Sequence, residues 1–285
     1  NSKYKIDLTP APQNNIDKAF IQTLNLQNIP AGDLNFSNIE SCGPILNTAK
    51  KYFRTSVMSI IQKKLFKVKL NEQVENILLN SNDRIIGVKT NLRVINSDYV
   101  ILAGGVIGSC NLLLKAKHEN TKSSMSNLDI GNGIQDHTNL RVNVITKEGF
   151  GSINEISNSF YKKLIMAFQY LSGKPSIMKG TGATSGVHLD LNNDGEIDTR
   201  IQIVQFTETG RHGSDGKYFS KEPGFSLSIT IISPESKGRI HLNNSETIVN
   251  PNFLSTQKDN ELLRLALKYS LGLLRSSPMS DLILR

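Results

Sequence analysis

Three stretches of this 285-residue chain carry residue types whose spacing could do chemistry. The first is Ala103-Gly104-Gly105, preceded by the apolar run Tyr99-Val100-Ile101-Leu102 and followed by Ile107, Leu112, Leu113 and Leu114 at helical spacing. Glycines at a strand-to-helix turn let a ligand come close to the backbone, because no side chain blocks the approach. The helix start beyond them, near Ser109, offers unpaired N–H groups and a positive dipole end to a phosphate or sugar. Small residues also serve any tight strand-to-helix turn. The second stretch ends in Asp136-His137, after Gly131-Asn132-Gly133-Ile134-Gln135. An acid can orient an imidazole for proton transfer; the same pair can cap and brace a loop. The third is Asp190 to Asp198, with oxygen-bearing side chains at loop positions 1, 3, 5 and 9 and Gly195 at position 6. That is the spacing of a calcium loop. Ile201 stands where the bidentate carboxylate belongs, so the loop would bind calcium weakly; alternatively Asn193-Asp194-Gly195 is a polar hairpin turn.

The elements that must position these residues follow from the hydrophobic pattern. Tyr99 to Leu102 reads as a strand buried on both faces. Phe66 to Leu70 alternates as a half-buried strand does, and Gln73–Leu79 and Arg84–Thr90 flank the turn Asn80-Ser81-Asn82-Asp83, so residues 66–103 form a β-meander feeding that strand. A short helix is expected from Ile16 to Leu26, between Pro12 and Pro30, and another through Ile60, Ile61 and Leu65. Further on, strands are expected at Asn139–Thr146, Thr199–Phe206 and Phe225–Ile232. Helices are expected at Ser159–Leu171 and Leu262–Leu274, the last N-capped by Asp259.

Composition narrows the class. Hydrophobic residues make up 38% and charged residues 20%, values of a globular chain with ample length for a core. The net charge is +8. The basic residues are scattered and tryptophan is absent, which argues for solvated surface rather than a nucleic-acid face. No apolar run is long enough to span a membrane. Cys42 and Cys110 make no disulfide framework, which fits a reducing, cytoplasmic setting, and Cys110 is expected to be a small buried residue.

The stretch Val100 to Leu114 resembles V-I-L-A-A-G-A-I-G-S-P-x-L-L-L, a turn in the flavin domain of the glucose-methanol-choline (GMC) oxidoreductases. Departures are Gly104, Val106 and Cys110. Gly131 to His137 resembles the family's V-G-x-N-L-Q-D-H, with the order around Asn132 inverted. Pro234 to Leu242 and Pro251 to Ser255 resemble P-x-S-x-G-x-V/I-x-L and P-N-Y-L-S. The resemblance runs from about Ala19 to Leu282. It implies an α/β (α+β overall) fold: a partial, Rossmann-like FAD-binding domain with a β-meander, plus an antiparallel-sheet substrate-binding domain. The divisions implied are 1–138, with a lead-in segment, for the FAD-binding part, 139–240 for the substrate-binding part, and 241–285 for a return segment. It also implies FAD as cofactor, a small-molecule alcohol as substrate, and hydride transfer to the flavin. Cofactor contacts are implied for Val74, whose backbone would pair with the adenine, and for Ala103, Gly104, Gly105, Ser109, Asp136 and His137.

Two family parts have no counterpart. No G-x-G-x-x-G follows a strand, and the pyrophosphate turn is expected upstream of Asn1. None of His118, His137, His188, His212 and His241 matches the catalytic histidine, which is expected beyond Arg285; no catalytic residue or metal ligand is assigned. The chain by itself is therefore expected to be inactive. The alternative is a non-catalytic binding module, with the loop 190–198 as a weak calcium site.

Overall fold

A computed structural model describes residues 8–34, 38–50, 53–54, 66–120, 124–174, 176–177, 180–208, 219–244 and 246–284. In chain order the first strands are β1 (Leu8–Pro10), β2 (Ser41–Pro44), β3 (Leu46–Lys50), β4 (Phe53–Arg54), β5 (Val74–Leu79), β6 (Ile85–Thr90) and β7 (Val94–Asn96). They are followed by β8 (Asn132–Ile134), β9 (Asn139–Ile145), β10 (Ala183–Leu189), β11 (Thr199–Val204), β12 (Gly224–Ile231), β13 (Gly238–Asn243) and β14 (Glu246–Asn250). The helices are α1 (Asn15–Leu26), α2 (Gly105–Glu119), α3 (Ile153–Ser157), α4 (Phe160–Leu171), α5 (Gln257–Arg275) and α6 (Met279–Leu282). The protein is a mixed α/β chain with several antiparallel sheets.

It forms two compact units, one of residues 1–61, 137–233 and 257–285, the other of residues 62–136 and 234–256. These units cut across the contiguous segments expected from the sequence. The lead-in joins the first unit because β2 pairs with β10, Cys42 opposite Val187, while α1 lies on the same sheet.

The first unit is built on the sheet β2-β10-β11-β12-β9. Side chains alternate between faces along each strand. Val187, Leu189, Ile201, Ile203, Leu227 and Ile229 point to one face and are buried against Ile16, Phe20 and Leu24 of α1 and Ala266 and Leu273 of α5. Each such side chain contributes about 1.5–3 kcal/mol by leaving water. The α1 N-terminus is fixed by a reciprocal cap: Asn14 Oδ1 accepts from the amides of Ile16 and Asp17, and the Asn14 amide donates to Asp17 Oδ2 at 2.9 Å. Asp17 is fully buried. Thr184 and Ser185 hydroxyls donate to its Oδ1, each at 2.5 Å, and Gln205 Nε2 donates to its Oδ2 at 2.9 Å. Burial raises the Asp17 pKa, and these donors oppose the rise.

In the second unit the hairpins β5-β6-β7 and the sheet β14-β13-β8 flank α2. Its core is small: Ile77, Ala116 and Met125, with Leu79, Ile85, Leu102, Leu112 and Leu113 packed on them.

Several expectations need correction. Tyr99 to Leu102 is not a strand; Tyr99 is 85% and Ile101 90% exposed. An apolar run becomes a buried strand only where neighbouring strands supply hydrogen bonds and cover, and none of the described strands pairs with it. Phe66 to Leu70 is irregular and exposed for the same reason. Helix α2 starts at Gly105, not near Ser109, and Cys110 is half-buried. Helix α5 starts at Gln257, so Asp259 lies buried in its first turn rather than at the cap. The helix expected through Ile60 and Leu65 lies outside the described residues.

Candidate ligand cavity

Strand β5 pairs with β6 on one side only, which leaves its other edge without a partner strand among the described residues. An edge strand presents main-chain N–H and C=O groups to whatever lies beside it. The register slips between Val74 and Asn76, opposite Thr90 and Lys89, so Glu75 is bulged out of the ladder at the end that carries Val74. The bulge is held by Asn76, whose Oδ1 accepts from the Ile77 amide at 2.8 Å and whose Nδ2 donates to Glu119.

Val74 to Asn76, the segment Tyr99 to Gly104, and Gly108, Asn111 and Lys115 of α2 line one open cavity of about 1150 Å³. Three features suit it to a polar ligand. No side chain caps the N-terminus of α2, so its first amides are not taken by a neighbouring hydroxyl or carboxylate. Gly105 adopts φ +75°, and a Cβ built at Gly105 or at Gly108 would meet nothing within 4 Å. The space a side chain would fill is therefore open. Asn111 Oδ1 is buried without a hydrogen-bond partner, an acceptor in want of a donor.

Of the residues singled out in the sequence, Val74, Ala103 and Gly104 line this cavity. Gly105 and Ser109 sit beside it in the first turns of α2, where a Cβ on Gly104 would contact Ser109. Asp136 and His137 are exposed and do not line it. The loop leading to them is pinned at Gly131, whose carbonyl accepts from the Ile240 amide at 2.7 Å, and at Gln135, whose Nε2 donates to the Pro234 carbonyl at 2.7 Å. Asn111, Gly108 and Asn76 received no role from the sequence. The signal for Asn111 was a lone amide beside three leucines in an apolar helix.

The loop 190–198 joins β10 to β11. Its acidic groups accept main-chain amides: Asp190 from Asp194 and Gly195, Asp194 from Glu196, and Asp198 from Leu191 and Asn192. Asn193 and Gly195 take positive φ, as a polar hairpin loop requires. Among the described residues no group of His, Cys, Asp and Glu is arranged to hold a metal ion.

A second polar surface went unread in the sequence because its residues alternate with the core. On the face of the five-stranded sheet opposite the core, His188, Arg200, Thr230 and Asn139 form one cross-strand row, and Gly186, Gln202, Ser228 and Arg141 the next. Arg141 is neutralised by Glu208 at 2.7 Å. Arg200 has no carboxylate partner among the described residues, and its Nε is buried without a hydrogen bond. Burial and the Arg200 charge both push the His188 pKa down, which favours the neutral imidazole. Among the described residues the face therefore places a guanidinium without a carboxylate partner beside an imidazole and an amide.

No family model matches the chain, and no curated protein matches it. Solved structures do. A formate oxidase superposes with a TM-score of 0.82 at 15% identity, covering 99% of this chain and 57% of its own. Pyridoxine 4-oxidase from Mesorbium loti gives 0.74 at 14% identity, over 98% of this chain and 55% of its own. An FAD-dependent oxidoreductase from Chaetomium thermophilum gives 0.78 at 10% identity, over 98% and 58%. The chain thus has the fold of one part of these enzymes and spans a little over half their length. At such identities the likeness is one of fold.

Proposed function

We propose that this chain is the central portion of a GMC-type flavin oxidoreductase that binds FAD and oxidises a small CH–OH donor. The observation that carries the reading is the convergence on one cavity of an edge strand starting at Val74 and the uncapped start of α2 at Gly104–Gly105. The fold shared with proteins described as oxidases and as an FAD-dependent oxidoreductase supports it. Bound FAD would supply the acceptor for the hydride. In this reading the Val74 main chain pairs with the adenine, the glycines leave room for the ribose, and Asn111 Oδ1 accepts from a ligand hydroxyl or amine. The diphosphate needs donors that this chain does not provide through a G-x-G-x-x-G turn. The row His188–Arg200, with Gln202 beside it, would orient the polar end of the donor molecule; the residue that takes its proton is not assigned.

The test is to purify the full-length protein, release any chromophore by denaturation and identify it. A protein that carries FAD and reduces a dye with an alcohol supports the reading. A colourless protein that takes up no added FAD contradicts it.

A further inference from the structure

Arg200 lies on β11 between Thr199 and Ile201, which are fully buried on the core side, so its side chain emerges with that of Gln202 on the opposite face of the sheet. Its Nε is buried without a hydrogen-bond partner. The carboxylates at either end of β11 are engaged elsewhere. Asp198 accepts the amides of Leu191 and Asn192, and Glu208 holds Arg141 at 2.7 Å. A buried donor left without an acceptor costs stability. A ligand that supplies the acceptor recovers that cost on binding.

The groups around Arg200 say what that ligand carries. Ser228 and Thr230 already have a partner: Asn139 Nδ2 donates to Ser228 Oγ at 2.7 Å and to Thr230 Oγ1 at 2.8 Å. His188 stands opposite Arg200 on β10, and Ser41, opposite His188 on β2, has a buried Oγ with no partner. Guanidinium, imidazole and hydroxyl thus follow one another along one cross-strand row, and all three can donate. Burial and the Arg200 charge push the His188 pKa down, so the imidazole adds a donor rather than a second positive charge. A carboxylate suits such a row. Its two oxygens match the planar fork of a guanidinium, and its single charge balances the one on Arg200. A phosphate monoester brings up to two charges to this one guanidinium, since Arg141 is already neutralised by Glu208. We propose that Arg200 binds a carboxylate of the donor molecule, which makes the donor a hydroxy acid. The proposal rests on the reading of the chain as a flavin oxidoreductase for CH–OH donors and adds the class of donor. The carboxylate is a handle with its bonds left intact: the CH–OH group becomes a carbonyl, its hydride passing to FAD and its hydroxyl proton to solvent.

The test is calorimetric titration of the full-length protein with glycolate, lactate and hydroxybutyrate, with the amide of each, and with glycerol phosphate. The same compounds are offered as donors with a dye acceptor. At least one hydroxy acid should bind roughly tenfold or more tightly than its amide. Arg200→Met should abolish that preference by weakening the acid to the level of the amide. Arg200→Lys keeps the charge without the planar fork and should restore only part of it. The order of kcat/KM among the donors should follow the order of affinity. Acid and amide binding alike, no binding of any acid, tighter binding of the phosphate than of every acid, or a preference that survives in Arg200→Met each overturns the proposal. The comparison of acid with amide on the wild type needs no variant, so it decides even where a variant does not fold. Binding is read without flavin turnover, which separates the two claims. A protein that prefers acids but carries no FAD keeps the carboxylate site and contradicts the oxidoreductase reading. A flavoprotein that oxidises alcohols but binds acids no better than amides keeps that reading and overturns this one.

Discussion

Val74 and Gly104 border the same cavity, one at the start of an edge strand and the other at the foot of a helix. The meander β5-β6-β7 returns the chain between the two. The pairing joins main-chain groups that no described strand takes with a helix start that no side chain caps, a combination suited to a ligand with several polar edges.

Asp17 yields a prediction with a definite sign in pH. Its folded pKa is raised, chiefly by burial, so the native state holds this proton more tightly than the unfolded state. Its contribution to stability is then largest below the unfolded aspartate value of about 3.9 and is lost as pH rises through the folded value. Asp17→Asn removes the titration but turns one acceptor into a donor facing the Asn14 amide or Gln205, costing about 1–3 kcal/mol at neutral pH. Urea unfolding across pH should show the wild type gaining on the variant as pH falls from neutral toward about 4. A difference that stays flat, or that grows as pH rises, contradicts this.

Gly131 is fixed by sterics. It adopts φ +90°, and a Cβ there would lie 2.1 Å from the Ile240 carbonyl oxygen. Gly131→Ala should destabilise the protein by about 2 kcal/mol or more, read as a lower urea midpoint with unchanged slope. A midpoint equal to that of the wild type would show that β13 can move aside.

Arg200 separates stability from binding. A half-buried guanidinium with no carboxylate partner among the described residues pays desolvation without an ion pair to offset it. Arg200→Met should leave the thermal midpoint unchanged or higher. If the open sheet face holds the donor molecule, KM should rise about tenfold while kcat changes less. A lower midpoint with KM unaltered would make Arg200 a structural residue.

Much of the fold was legible where one period dominates. Asn15–Leu26 carries a capping box and an apolar stripe, and Thr199–Val204 and Gly224–Ile231 carry strand-like alternation. The buried strand expected at Val100–Leu102 failed for a non-local reason, since strand formation depends on neighbours that local sequence does not specify. Strand β10 was missed because Ala183 to Gly186 are small and polar; their burial comes from Asp17 and Gln205, distant in sequence. Within the site, glycines at a turn were readable from type and spacing. Asn111 and Arg200 were not, because an unsatisfied polar atom exists only once the surroundings are built.

The most direct test of the central claim is the flavin content of the full-length protein with Gly108 replaced. Gly108 is helical, lines the cavity, and has open space where a side chain would go. Gly108→Ala should raise helix stability by up to about 1 kcal/mol. Gly108→Leu should fold equally well while occupying the ligand's volume. Measured as FAD per protein after purification, and as the affinity of the apoprotein for added FAD, the leucine variant should lose about tenfold or more in affinity relative to the alanine variant. Equal FAD content and affinity in the two folded variants would show that the flavin does not lie in this cavity.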